Sequence, residues 1–325
     1  MHPRFFTAPE IRDLLSPAQA TEAITRALCS GLDPSTDTPR GIVGLERGQF
    51  LVMPAERSAY AGIKIATVAP NNPSRELPRV QALYLLFDSD TLTPQAILDG
   101  TELTAVRTPA VSIAAVLPAL LHRTEPLQVA VFGAGRQGIG HIETLAGVLR
   151  GHRSLQRVSY IVRNPLSCLA NDPGRSAVAP SAIGEVLQAG STAAEGAVAA
   201  ADVIICATSA SEPLFDSRML RNDSIVIAVG SHEPHVREVD AALCGRAQVV
   251  VEDVATALRE SGDIVMAIAE GTLSEEELVP MKDLLTGAVP LQYPDRPLFF
   301  KSSGMSWEDL VAAAAVVEAS LACSA

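Results

Sequence analysis

The sequence predicts an α/β fold in two parts: a doubly wound parallel-sheet domain over residues 123–299, and a discontinuous α+β domain of residues 1–122 completed by a C-terminal helix within 300–325. Three observations lead there. Between Gln128 and Val251 short apolar runs alternate with helical patterns, as in a parallel sheet wound with helices. Between Gln49 and Leu98 four short extended segments follow one another with no helix among them, which points to an antiparallel sheet. The length of 325 residues exceeds one ordinary core and is short for three.

Thr7 and Ser16-Pro17 read as helix N-caps, the second with Pro at the first helical position, so residues 8–30 should hold one or two helices. Extended segments at 49–53, 61–68, 80–88 and 94–98 are separated by Pro, Asn, Asp and Gly. An Ala-, Val- and Leu-rich helix follows at 104–121. The alternating region then reads as strand 128–132, helix 137–149, strand 158–162, helix 182–188, an Ala-rich helix at 191–201, strand 203–207, a short helix near 217–220, and strands 225–229 and 248–251, with a short helix at 255–261. A closing helix starts at Ser306, whose spacing to Asp309 fits a capping box, and should pack on the first domain.

Composition narrows the function. A net charge of -12 argues against a nucleic-acid partner, which would need a basic face, and favours a small molecule. Although 48% of residues are hydrophobic, no apolar run approaches the roughly 18 to 20 uncharged residues of a membrane span. Pro9, Glu10 and Asp13 interrupt the opening residues before a signal-like stretch can form, so a cytoplasmic protein without a membrane partner is expected. The five cysteines are scattered without a CxxC pair, which indicates neither a disulfide framework nor a metal site. Only three of the 25 basic residues are lysines: Lys64, Lys282 and Lys301.

The segment Gly133-Ala134-Gly135-Arg136-Gln137-Gly138 satisfies G-x-G-x-x-G, follows the apolar strand at 129–132 and opens a helix. That is the setting of a Rossmann-type NAD(P)-binding turn: Gly133 for the tight turn, Gly135 for close approach of a pyrophosphate, Gly138 for helix–strand packing. The helix N-terminus adds N–H donors and a positive dipole end. At the end of the second strand, where an acidic residue would bind a ribose 2′-hydroxyl, stand Arg163 and Asn164, and no acidic residue lies between Glu143 and Asp172. NADP(H) is therefore favoured over NAD(H).

Further segments resemble the ornithine cyclodeaminase/mu-crystallin family, whose members include ketimine reductases, pyrroline-2-carboxylate reductases and an archaeal alanine dehydrogenase. The resemblance runs along nearly the whole chain: Leu51-Val52-Met53-Pro54-Ala55, Gly62-Ile63-Lys64, Asn72-Pro73, Leu77-Pro78, Leu98 to Thr104 running into Arg107-Thr108, the glycine turn, Ala207-Thr208-Ser209, Ala228-Val229-Gly230-Ser231, Glu260-Ser261-Gly262-Asp263 and Phe300 to Met305. It implies a homodimer joined through the first domain, which is then a substrate-binding and dimerisation domain. It implies cofactor contacts at Thr108, Ala207, Thr208, Ser209, Val229 and Gly230 besides the glycine turn, and substrate contacts at Met53, Glu260 and Ser302. It also implies a carboxylate clamp of Arg40, Lys64 and Arg107. Lys64 supports this independently, because an ammonium within the apolar strand Ile63-Lys64-Ile65-Ala66 needs an anion to offset its burial.

The departure is His232. In cyclodeaminases the stretch here read as Gly230-Ser231-His232-Glu233-Pro234 resembles a segment carrying an Asp that acts on the substrate amine. A histidine can carry protons, but the Asp that would anchor an ammonium is missing from this stretch. The resemblance then implies reduction of the C=N bond of a small cyclic imino acid, 1-pyrroline-2-carboxylate or 1-piperideine-2-carboxylate. His232, Glu260 and an ordered water are the candidate proton sources. The alternatives are an ornithine or lysine cyclodeaminase, and a crystallin-like protein that holds NADP(H) and a ligand without turnover.

Overall fold

The computed structural model describes residues 3–166 and 185–323. The chain divides into two compact units, one of Met1–Val111 with Gly304–Ala325 and the other Ser112–Ser303. The divisions thus fall at 111/112 and 303/304, where the sequence suggested 122/123 and 299/300.

In the first unit the caps read from the sequence start two helices, Ala8–Leu14 and Pro17–Cys29; Ser16 Oγ accepts from Gln19 N (3.4 Å) and Gln19 answers by accepting from Ser16 N (3.0 Å). Six strands follow the order β1 (Arg4–Phe6), β6 (Pro94–Asp99), β5 (Val80–Asp88), β4 (Tyr60–Val68), β3 (Gly48–Arg57), β2 (Gly41–Leu45). The four segments read as strands pair antiparallel, but β1, which the sequence reading lacked, joins β6 in parallel. Along β4 burial alternates strictly, and Lys64 falls on the buried face with Gly62, Ala66 and Val68. Helix Ser306–Ala322 packs on β3, β4, β5 and helix Pro17–Cys29, so the end of the chain closes the unit its beginning starts. Its N-cap is Met305 with no side-chain cap bond, which corrects the capping box expected of Ser306 and Asp309. Helix Gly100–Leu120, the one described helix long and apolar enough to cross a membrane, is 72% buried over its most apolar window, as a core helix is.

In the second unit eight parallel strands follow the order β13 (Val279–Pro280), β12 (Gln248–Val251), β14 (Leu298–Lys301), β11 (Ile225–Ala228), β10 (Val203–Cys206), β7 (Leu127–Phe132), β8 (Leu155–Val162), β9 (Val186–Gln188). β7 pairs with β8 on one side and β10 on the other, so strand order reverses there, and ligands of open α/β sheets lie at such a point. The Ala-rich stretch is helix Thr192–Ala200, capped by Ser191. The expected helix 182–188 is corrected in part: Val186–Gln188 is an edge strand on β8, and 182–184 lie outside the described residues. A run of three apolar or amide residues carries too little period to separate the two forms. The short helix near 217–220 is a single 3-10 turn, Ser217–Met219.

Candidate functional site

The glycine turn caps β7. Gly133 has φ +94°, and a Cβ there would lie 2.4 Å from Ala207 O, so the turn demands glycine and sits against the end of β10. A Cβ on Gly138 would lie 2.0 Å from Gly133 O, which is the helix–strand packing the motif predicts. Gly135 is the N-cap of helix Arg136–Val148, and a Cβ on it would meet nothing within 4 Å. An open backbone surface over a helix N-terminus at the switch point fits a pyrophosphate.

Neighbouring turns are clipped to it by groups the sequence reading missed. Glu238 Oε1 accepts from Thr208 N (2.8 Å) and Thr208 Oγ1 (2.7 Å), and Oε2 from Gly230 N (2.6 Å), tying the turn after β10 to the turn after β11. Burial raises the Glu238 pKa, while Lys301 and these donors oppose the rise. Asp263 accepts from Ser231 Oγ (2.6 Å) and from the backbone of Glu238 (2.7 Å) and Val239 (2.9 Å). Lys301, 1% exposed, lies 3.4 Å from Asp263 Oδ2 and donates to Ser231 O (2.6 Å). Ser302 Oγ donates to Glu252 Oε1 (2.6 Å), and Ser261 and Ser303 hydroxyls meet at 2.7 Å. Of the candidates, Thr208, Gly230 and Ser302 enter this bonding directly, while Val229, His232 and Glu260 adjoin residues that do. His232 is exposed on the turn, whereas Glu260 is buried at the end of helix Val254–Glu260, where Arg259 meets it at 2.7 Å. Arg136, Arg163, Asn164 and Ser209 are exposed, and Ala134, Gln137 and Ala207 are half-buried.

The first unit brings Arg40, Met53, Lys64, Arg107 and Thr108 to one region. Lys64, 3% exposed, faces Met53 across β3 and Tyr84 across β5. Its charge is met inside the protein: Nζ lies 2.5 Å from Asp309 Oδ2. Arg107 donates through Nε to Asp309 Oδ1 (3.2 Å) and through Nη1 to Glu308 Oε2 (2.5 Å). Arg40 donates to Gly304 O (2.6 Å). Gly304 has φ +77°, and a Cβ there would stand 3.0 Å from both terminal nitrogens of Arg107. Asp37 accepts from Ser306 N (2.7 Å) and Trp307 N (3.3 Å) at the start of the same helix. Burial pushes Lys64 down to about 8 against the pull of Asp309, and pushes Asp37 up to about 6 against its backbone donors. The sequence offered Lys64 an anionic ligand as partner. Asp309 and Glu308 are fixed partners, and their sequence signal, two acids opening an apolar helix, reads equally as helix capping.

Fold and glycine turn together define a protein of the dinucleotide-binding α/β class. The chain belongs to the ornithine cyclodeaminase/mu-crystallin family, whose family model matches residues 3–323. It is 30% identical over 325 residues to the rat (Rattus norvegicus) ketimine reductase mu-crystallin, covering 97% of each chain. To the Delta(1)-pyrroline-2-carboxylate reductase of Colwellia psychrerythraea it is 30% identical over 272 residues, 83% of each. Among solved structures, the Thermococcus litoralis Delta(1)-pyrroline-2-carboxylate reductase with NADH and L-proline matches 99% of this chain and 98% of its own, with a TM-score of 0.86 and 26% identity. The iminosuccinate reductase of Paracoccus denitrificans with NAD+ covers 100% of this chain and 98% of its own, at a TM-score of 0.83 and 26% identity.

Proposed function

We propose that the protein is a cytoplasmic, homodimeric NAD(P)H-dependent oxidoreductase that reduces the C=N bond of a small cyclic imino acid, 1-pyrroline-2-carboxylate or 1-piperideine-2-carboxylate. The observation that carries the proposal is the convergence of three cations on the segment 304–309 in a chain that also builds an open glycine turn for a dinucleotide. Relatives named as reductases of such imines support the substrate class.

In this reading Arg40, Lys64 and Arg107 take the substrate carboxylate and fix the ring, which converts an encounter into an oriented reaction. A reduced nicotinamide, when bound, supplies the hydride. The backbone of 133–138 and the N-terminus of helix Arg136–Val148 hold its pyrophosphate, while the turn tied by Glu238 presents Thr208 and Gly230. The imine nitrogen must be protonated for reduction, and His232 and Glu260 are the side chains that could deliver the proton, alongside water.

Arg163, exposed directly after β8 with no acid nearby in sequence, supports a preference for NADP(H); the two solved relatives carry NADH and NAD+, so the preference rests on this chain's own residue. Exposed apolar residues on the first sheet, Ile42, Val43 and Leu83, support a dimer through that unit. NADPH and NADH oxidation measured against five- and six-membered ring imines, with ornithine plus NAD+ as control, tests the activity. Ammonia from ornithine with no imine reduction overturns it in favour of a cyclodeaminase, and tight NADPH binding without turnover of any imine favours a ligand-holding protein. Sedimentation at micromolar concentration tests the dimer, and a clean monomer rejects it.

A further inference from the structure

Three cations on three separate elements meet the short segment that opens helix Ser306–Ala322: Arg40 from the loop before β2, Lys64 from β4, Arg107 from helix Gly100–Leu120. Asp309 pairs with two of them, with one carboxylate oxygen on each, and it is fully buried. Lys64 and Arg107 carry like charges, and the field of Arg107 disfavours the charged form of Lys64. Two buried cations side by side repel unless an anion stands between them. The helix N-terminus under Asp309 favours that anion.

We propose that Asp309 is a positioning residue for the substrate carboxylate: by bridging Lys64 and Arg107 it holds both cations charged and in one geometry, and so sets the affinity of the site for an anion. The proposal rests on the reductase reading for the identity of that anion and on the geometry alone for the bridge. The groups that bear on Lys64 are Asp309 and Glu308 from helix Ser306–Ala322 and Arg107 from helix Gly100–Leu120. Tyr84 lies opposite on β5, in the field of Asp309 and Asp37, and its own pKa is raised by burial. Asp37, on the loop that carries Arg40, is itself raised in part by the charge of Asp309. With Asp309 gone, burial and Arg107 both push Lys64 toward its neutral form, so its titration moves down.

Two readouts test this. The chain has three lysines, so NMR of isotope-labelled lysine reads the Lys64 titration with no substrate present. Calorimetry with pyrrole-2-carboxylate, a planar ring anion lacking a reducible C=N bond, reads the site across the same pH range on NADP+-loaded protein. In the wild type Lys64 should titrate near 8 and anion affinity should fall above it. In Asp309→Asn both transitions should move down by about 1 to 2 pH units, with affinity at neutral pH reduced roughly 10- to 100-fold. Asp309→Glu keeps the charge but not the reach, so the titration should stay while affinity falls. NADPH affinity should hold in both. A loss in Asp309→Asn that is equal at every pH, with the Lys64 titration unmoved, reduces Asp309 to a structural part and overturns the proposal. If Asp309→Asn does not fold, Asp309→Glu decides, and a displaced Lys64 titration in it counts against the bridge. A wild type whose Lys64 titrates as expected but which neither binds the anion nor reduces an imine refutes the reductase reading and leaves the bridge standing.

Discussion

Lys64 and Lys301 sit in different units, and both are almost wholly buried beside a carboxylate, yet they are held in unlike ways. Lys301 donates to the backbone at Ser231, and its carboxylate, Asp263, accepts from backbone N–H groups of Glu238 and Val239. That network spends its charge on fixing a turn. Lys64 meets Asp309, whose second oxygen meets another cation, Arg107. That cluster sets charge against charge, and its members' pKa values are displaced: Lys64 down to about 8, Asp37 up to about 6. The difference separates a buried ion that braces the chain from buried ions set against one another, which the proposed function assigns to a ligand, a distinction that burial alone does not make.

The largest effect should come from breaking the brace. Lys301→Met leaves Asp263 buried without its cation, and the cost should be about 3 to 5 kcal/mol of folding stability, read by chemical denaturation. Retention of full stability would place Lys301 with Lys64 among the ligand groups instead. Next come Lys64→Met and Arg107→Leu, which should cost on the order of 2 to 5 kcal/mol in kcat/KM for the best imine, roughly 30- to several-thousand-fold, with NADPH affinity scarcely changed. Activity within about threefold of wild type for both would remove the clamp assignment.

A smaller effect tests whether the first cluster is charge-sensitive. The folded-state pKa of Asp37 lies above its ordinary value of 3.8, at about 6, so its native form favours the neutral carboxyl. The stabilisation is complete below the ordinary value and is lost as pH rises through about 6. Asp37→Asn, which can still accept from Ser306 and Trp307, should therefore gain up to about 2 kcal/mol on the wild type between about pH 4 and 7. Parallel stability curves for the two proteins would contradict it. Smallest of all, Arg163→Asp touches an exposed cation, so stability should hold while the NADPH-to-NADH preference falls by about 1 kcal/mol, roughly fivefold, or reverses. Titration of both cofactors by fluorescence checks it, and a wild type that binds NADH more tightly refutes the reading of Arg163.

The nucleotide half was legible because its constraints are local. Gly133 is required by its own backbone angle and Gly138 by the carbonyl of Gly133, so both requirements lie in one short window, although Gly133 also packs against Ala207. Lys64 was legible as a problem, a cation on the buried face of an apolar strand, but its solution lay 245 residues further on. Asp309 was misread because a local rule was available: an acid three residues after Ser306 resembles a cap, and the tertiary partners Lys64 and Arg107 took it instead. Glu238 and Asp263 showed no local signal, since a carboxylate that accepts backbone N–H groups from distant segments, as Glu238 does from two turns and Asp263 from residues 238 and 239, has no sequence spacing. Strand Leu298–Lys301 was missed for a related reason, because four buried residues between loops show no period.

Helix Ser306–Ala322 also sets an order of events during synthesis. Lys64 and Arg107 are translated early, but the carboxylates that neutralise them follow only after the whole second unit, Ser112–Ser303, has been made. At about 5 to 20 residues per second, the second unit has time to fold on the ribosome while the first waits with its cations hydrated and its sheet not yet covered by that helix. The order of synthesis thus leaves the closing helix, and with it the carboxylates that meet Lys64 and Arg107, to the end.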